Sequence, residues 1–64
     1  MDLNDLHTFV TVAELGSFSR AATELGLAKS TVSDRVRALE RDLGALLLQR
    51  STRRLSLTDA GEAL

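Results

Sequence analysis

The sequence predicts a mainly α-helical fold with a three-helix core, a small β-hairpin and the start of a fourth helix. Apolar residues recur at three- and four-residue steps through most of the first 43 positions. Proline is absent and the only aromatic residues are two phenylalanines, which disfavours an all-β fold built on aromatic strands and proline turns. Three of the four glycines each follow an amphipathic stretch, as expected at helix C-termini.

The first two helices are predicted over Leu3–Leu15 and Phe18–Leu25. The apolar set of the first is Leu3, Leu6, Phe9, Val10 and Ala13, and that of the second is Phe18, Ala21, Ala22 and Leu25. Acidic side chains at positions 2 and 5 lie near the positive end of the first helix dipole. Ser17 comes directly before the second helix and is its expected N-cap.

The third helix is predicted over Lys29–Leu43 and has a narrow apolar stripe on one side. The residues expected to face inward are Val32, Val36, Leu39 and Leu43. The residues expected on the opposite side are Ser30, Ser33, Asp34, Arg37 and Arg41. A helix divided in this way packs by one face and presents the other.

The chain after Gly44 predicts a hairpin followed by another helix. The segment 46–48 is apolar, and Leu55–Leu57 alternates between apolar and polar residues, which is typical of a short strand. The four residues 51–54 would join the two strands in a basic tip. Thr58 and Asp59 are typical of a helix start. This helix would be cut short at residue 64, so we expect the chain to be part of a longer protein.

The length of 64 residues allows one domain with a small core. Cysteine is absent and histidine occurs once, as His7, so we expect no disulfide, no metal site and no cofactor. No apolar run approaches the roughly 18 residues of a membrane span, and no secretory signal opens the chain. These features predict a cytoplasmic protein that does not contact a membrane.

Charge is distributed unevenly along the chain although the net charge is −1. Residues 1–28 carry −3, residues 29–54 carry +4 and residues 55–64 carry −2. A local basic surface attracts a phosphate backbone, because field strength depends on nearby charge. A charged helix face that is merely solvated explains the same numbers, so charge alone leaves both interpretations open.

The stretch from Phe18 to Val36 has the pattern of a helix-turn-helix. Ala22 is small, which lets the third helix cross close over the second, and Gly26 suits the turn between them. The wedge between the helices would be filled by Leu25, Leu27, Val32 and Val36. Such a motif projects the N-terminal half of its second helix, here the third of the chain, toward a major groove of DNA.

Several motifs together resemble the N-terminal DNA-binding domain of LysR-type transcriptional regulators, and the resemblance covers nearly the whole chain. The matching stretches are residues 16–22, 31–33, 39–40, 43–44, 50–58 and Gly61. The resemblance implies a winged helix-turn-helix over residues 1–57 and the start of a dimerisation helix over 58–64. It also implies a C-terminal domain, absent from this chain, that senses a small-molecule effector. Such regulators bind double-stranded promoter or operator DNA as dimers or tetramers.

The resemblance also assigns the candidate DNA-binding residues. On the recognition helix they are Lys29, Ser30, Thr31, Ser33, Asp34 and Arg37. Elsewhere they are Ser17 at the start of the second helix, Arg50 at the base of the hairpin, and Thr52, Arg53 and Arg54 in the wing. Lys29 and Arg37 suit guanine O6 and N7, and the two serines suit either a base edge or a phosphate.

Three residues depart from the family pattern. Ala28 stands where a capping serine or threonine is common. The absence of that side-chain cap costs about 1 kcal/mol of helix stability. Asp34 faces the phosphates as an acid, so it either accepts from cytosine N4 or, as we favour, pairs with Arg37 one turn on. Leu48 replaces a phenylalanine common before the hairpin, which we interpret as a core substitution.

Other polar residues have simpler interpretations. Glu40 is expected in an ion pair within the helix or at the core edge, His7 in a structural role, and Arg35 on the surface. Arg41 contacts the DNA backbone or pairs with a neighbouring acid. No set of residues suited to catalysis is present, so we expect no enzyme. The alternative to DNA binding is a winged-helix module that binds protein, which Asp34 favours mildly and the basic wing opposes.

Overall fold

The computed structural model describes residues 2–50 and 55–63, and it contains the six predicted elements in the predicted order. These are α1 (Leu3–Leu15), α2 (Phe18–Leu25), α3 (Lys29–Leu43), β1 (Leu48–Arg50), β2 (Leu55–Leu57) and α4 (Asp59–Glu62). Within the described residues, no helix is both long enough and apolar enough to cross a membrane.

The helix starts follow from capping side chains, as the sequence predicts for α2 and α4. The Ser17 hydroxyl accepts from the backbone N–H of Arg20 at 3.2 Å. The Thr58 hydroxyl likewise accepts from the N–H of Gly61 at 3.1 Å. Each bond satisfies an N–H group that has no partner inside its helix. Asp2 caps α1 in the same way, through its carboxylate.

The core lies where α1 packs against both α2 and α3. Its buried apolar side chains are Phe9, Val12, Ala21, Ala22, Val32, Val36, Leu39, Leu47 and Leu48. The inward direction of Val32 and Val36 and the core position of Leu48 are therefore confirmed, and Ala22 is buried as its small size predicts.

The buried face of α1 differs from the prediction. Leu3 and Val10 are 79% and 37% exposed, whereas Thr8 and Val12 are fully buried. The Thr8 hydroxyl donates to the carbonyl of Asn4 at 2.7 Å, so burying this side chain leaves no polar group without a partner. A hydrophobicity pattern that counts threonine as polar therefore misplaces the centre of the buried face.

The turn between α2 and α3 has the predicted glycine conformation. Gly26 has a φ of 68°, and the N–H of Leu27 donates to the carbonyl of Ala22 at 2.9 Å. This closing bond satisfies a carbonyl at the helix end and turns the chain toward α3. The helix–glycine–helix pattern therefore forms the helix-turn-helix expected from the sequence.

The hairpin and α4 are joined to the segment 46–48, which we call the β1 approach. Strands β1 and β2 are antiparallel, with Leu48 opposite Leu57. The Thr58 N–H donates to the carbonyl of Leu47 at 3.0 Å, and the Thr58 hydroxyl donates to that of Leu46. Gly61 is buried against the Leu47 carbonyl. These contacts hold the start of α4 against the chain that enters the hairpin.

Candidate nucleic-acid interface

The exposed face of α3 is a line of four polar residues on the side away from the core. Val32, Val36 and Leu39 have no exposed surface. The line consists of Ser30, Asp34, Arg37 and Arg41, all exposed. Their spacing of four, three and four residues repeats that of the core stripe on the opposite side of the helix. We call these four residues the α3 ridge. The outward direction predicted for three of the DNA-binding candidates is confirmed.

The other candidates on α3 lie beside the ridge or before it. Thr31 and Ser33 are half-buried on its two flanks, and Lys29 is exposed at the first helical position. Ser33 was predicted to lie opposite the apolar stripe. Its partial burial shows that it lies closer to the core than predicted. Arg35 is half-buried on the same flank as Thr31, one turn further along. The polar and basic residues of the first two turns thus lie around the exposed side of the N-terminal half of α3.

The N-terminus of α3 has no side-chain cap, as the alanine at position 28 implies. The carbonyl of Ala28 accepts from the N–H of Val32 at 3.1 Å, but its side chain offers no oxygen to the first-turn N–H groups. Backbone N–H groups at a helix N-terminus, together with the helix dipole, attract phosphate. The local chemistry therefore suits an anion at the end of α3 that also carries Lys29 and Ser30.

A side-chain oxygen at position 28 that caps α3 is expected to stabilise the fold. The variants Ala28→Thr and Ala28→Val have side chains of nearly the same shape, but only threonine can accept from the N–H of Thr31. We expect the threonine variant to exceed the valine variant by about 1 kcal/mol in free energy of unfolding, measured in urea. Equal stability of the two variants would mean that this helix end needs no cap.

Ser17 combines its capping role with a free donor. Ser17 is half-buried, and its hydroxyl accepts from the N–H of Arg20, which uses an oxygen lone pair and leaves the hydroxyl hydrogen available. A hydroxyl can donate and accept at the same time. Ser17 can therefore cap α2 and donate to a phosphate oxygen.

The pairing of Asp34 with Arg37 that we favoured is not formed. Among the described residues the structure contains no ion pair between them, and both side chains are exposed. Arg41 likewise makes no ion pair with a described acid. A surface ion pair has a small net stability, because ordering two long side chains costs entropy. The charged groups of the α3 ridge are therefore directed to solvent.

Glu40 has a different role from the expected ion pair. It is 9% exposed, and its Oε2 accepts from the backbone N–H of Leu47 at 2.9 Å and from that of Leu48 at 3.4 Å. Leu43, predicted as the last member of the inward stripe, is instead 39% exposed. The C-terminal end of α3 lies beside the peptide backbone of the β1 approach. The buried N–H groups of this backbone need a hydrogen-bond acceptor, which an apolar side chain cannot provide.

The wing candidates are only partly described. Strand β1 ends at Arg50 and β2 begins at Leu55, which confirms the predicted hairpin. Thr52, Arg53 and Arg54 lie outside the described residues, as does the side chain of Arg50. Their contacts with DNA stay predictions. Among the described residues, no three acidic or histidine side chains are grouped so that they could hold a metal ion.

Comparisons with known proteins identify the family. The profile described as "Bacterial regulatory helix-turn-helix protein, lysR family" matches residues 3–62. The transcriptional regulator PtxR of Pseudomonas aeruginosa is 56% identical over 64 residues, which are all of this chain and 20% of that protein. The chain spans about a fifth of the length of the curated relatives it matches.

Solved structures have the same fold. Oxidized OxyR of Corynebacterium glutamicum superposes with a TM-score of 0.93 at 46% identity, over 98% of this chain and 19% of that chain. A crystal structure of the CbnR DNA-binding domain in complex with DNA has a TM-score of 0.93 at 41% identity, over 98% of this chain and 72% of that chain. With its helix-turn-helix, its hairpin and the matching profile, the chain belongs to the LysR family of bacterial helix-turn-helix regulators.

Proposed function

We propose that this chain is the DNA-binding domain of a LysR-type transcriptional regulator and binds double-stranded DNA with sequence specificity. The observation that carries the proposal is the α3 ridge, because it is a polar and basic surface backed directly by Val32, Val36 and Leu39 in the core. A rigid helix with one anchored face and one free face suits insertion into a major groove. The similar CbnR domain, solved as a DNA complex, supports this choice.

We assign base contacts and phosphate contacts to residues according to their positions on α3 and α2. Lys29 and Arg37 donate to guanine edges, and Ser30 reaches a base edge or a phosphate. The uncapped N–H groups of α3 and the hydroxyl of Ser17 bind phosphates, which fixes the orientation of the helix on the duplex. Asp34, unpaired on the ridge among the described residues, is free to accept from cytosine N4.

The wing is proposed to contact the backbone or the minor groove beside the site. Arg50, Thr52, Arg53 and Arg54 are consecutive or nearly so, and three of them carry positive charge. Arginine in a narrow minor groove gains from the enhanced negative potential there. The antiparallel pairing of Arg50 with Leu55 supports the proposal that the residues between them form a projecting basic tip.

The whole protein is proposed to act as a dimer or tetramer through an extended fourth helix. Residues 1–57 would be the DNA-binding domain and 58–64 the start of the pairing helix, followed by a domain that binds a small-molecule effector. Two copies would place their α3 helices in successive major grooves about 34 Å apart. A protein that binds the bacterial chromosome works in the cytoplasm, and neither catalysis nor a cofactor is part of this proposal.

Salt-dependent binding tests the proposal directly. A fluorescent duplex of about 30 base pairs from the promoter region of the protein's own gene is titrated at several salt concentrations. Each phosphate contact should add about −0.9 to the slope of log affinity against log salt. No binding even at low salt, or an affinity that does not change with salt, would contradict the proposal and favour the protein-binding module.

Substitutions separate the wing from the recognition helix. Arg53→Ala is expected to weaken binding to all duplexes alike and to reduce the salt slope by about 0.9, the loss of one phosphate contact. Lys29→Ala and Ser33→Ala are expected to change the preference among sites, and for Lys29 on a guanine edge the change is about 1–3 kcal/mol. Arg35→Ala removes the same charge from a flank of α3 and is the control. Normal binding by Arg53→Ala would refute the wing assignment.

A further inference from the structure

We propose that Glu40 is a positioning residue that fixes the β-hairpin to the recognition helix and thereby sets where the wing meets DNA. The inference rests on the proposed function, because it assigns the placement of one DNA-contacting element to a residue that touches no DNA. It goes beyond that function by naming the group that couples the two elements.

The geometry of the carboxylate carries the inference. Glu40 lies on α3 between Arg37 and Arg41, two members of the α3 ridge, but its side chain is buried on the flank of the helix that meets the β1 approach. Its Oε2 accepts two N–H bonds, from Leu47 and from Leu48, which is the first residue of β1. A single oxygen atom therefore joins the helix that carries the ridge to the strand that leads into the wing.

The chemistry explains why an acid stands at this position. Leu47 and Leu48 are 1% and 4% exposed, so water has little access to their N–H groups, and a buried N–H without an acceptor is unfavourable. Hydrogen bonds to an ionised carboxylate are roughly twice as strong as those between neutral groups. An apolar residue at position 40 would fill the space but leave both donors without their acceptor.

The anchor lies close to the predicted DNA contacts of the wing. Arg53 follows Leu48 by five residues, so the chain between their Cα atoms can span at most about 18 Å. The β1 approach is also held by Thr58, which binds the carbonyls of Leu46 and Leu47, and by the side chains of Leu47 and Leu48 in the core. Releasing the Glu40 bonds would therefore loosen the link between α3 and β1 while these contacts keep the hairpin folded.

The experiment compares Glu40→Ala with the unchanged 64-residue chain. Amide hydrogen exchange is expected to accelerate at Leu47 and Leu48 by roughly tenfold or more, while the amides of α1 and α2 keep their protection. Titration with a mixed-sequence duplex of about 30 base pairs is expected to give a salt slope lower by about 0.9 to 1.8, for one or two lost wing contacts. A general loss of stability would instead accelerate exchange throughout the core.

Two further variants complete the test. Asp42→Ala removes an exposed acid from the same helix and corrects for the gain in affinity that follows when any negative charge near DNA is lost. Glu40→Gln keeps an acceptor oxygen, so we expect it to restore most of the salt slope and most of the exchange protection. If Glu40→Ala does not fold, Glu40→Gln alone should still accelerate exchange selectively at the two leucines, because a neutral acceptor is weaker.

The outcomes separate this inference from the proposed function. If the unchanged chain does not bind the duplex, the proposed function fails. If it binds, but Glu40→Ala keeps the original salt slope or loses protection equally in all helices, the positioning role is refuted and the DNA-binding function stands.

Discussion

Leu39→Ala is expected to remove about 2–5 kcal/mol from the free energy of unfolding, which is a large part of the stability of a chain this small. Leu39 is fully buried on α3, and truncating a buried leucine costs both the transfer energy of its methyl groups and the cavity left behind. At about 0.05–0.15 kcal/mol per residue, 64 residues provide only about 3–10 kcal/mol. Urea denaturation followed by helical circular dichroism measures the loss.

Leu43→Ala is the matched control for this prediction. It makes the same chemical change one turn further along the same helix, at a side chain that is 39% exposed. We expect it to cost well under half of the loss at Leu39, because partly exposed leucine loses less contact on truncation. Equal losses at the two positions would mean that the core extends to the end of α3, against the burial described here.

Gly61→Ala is expected to destabilise the fold by about 1–3 kcal/mol even though alanine is the better helix former. A Cβ built at Gly61 would collide with the carbonyl oxygen of Leu47 and lie 3.1 Å from its carbonyl carbon and 3.2 Å from Cδ2 of Leu57. The backbone at Leu47 cannot move aside without breaking its bond to Thr58. Urea denaturation and amide exchange at Thr58 measure the effect.

The neighbouring position provides the control for Gly61. Glu62 is exposed on the same short helix, so the pair Glu62→Ala and Glu62→Gly reports the intrinsic preference of α4 for alanine. We expect alanine to be the more stable of that pair, by up to about 1 kcal/mol, whereas the order is reversed at position 61. The same order at both positions would mean that α4 is free to move away from the β1 approach.

The elements could be predicted from the sequence because local signals determine them. Ser17 and Thr58 carry capping hydroxyls, and Gly26 permits the left-handed turn, so helix boundaries follow from backbone chemistry within a few residues. The direction of the α3 ridge followed from the spacing of the core stripe alone. These signals do not depend on which distant segment packs against each helix.

The remaining features depend on contacts between segments that are distant along the chain. Glu40 was assigned an ion pair because the sequence does not show that the peptide N–H groups of residues 47 and 48 lie opposite it. The apolar spacing of α1 does not include Thr8, because it cannot show that this hydroxyl bonds back to its own helix and so permits burial. The pairing of Asp34 with Arg37 was favoured from spacing alone, which cannot weigh side-chain entropy against a screened attraction.

The peptide group of Leu47 makes the thermodynamic effects of distant positions interdependent. Its N–H is bound by Glu40, its carbonyl accepts from the backbone of Thr58, and Gly61 packs against that same carbonyl. Substitutions at residues that share a partner are usually not additive. Once one of these three interactions is lost, losing a second should cost less than it does in the intact chain. Positions 40 and 61 therefore form one epistatic unit around a peptide group that the backbone N–H of Thr58 also binds, and the tolerance of each position to change depends on the residue at the other.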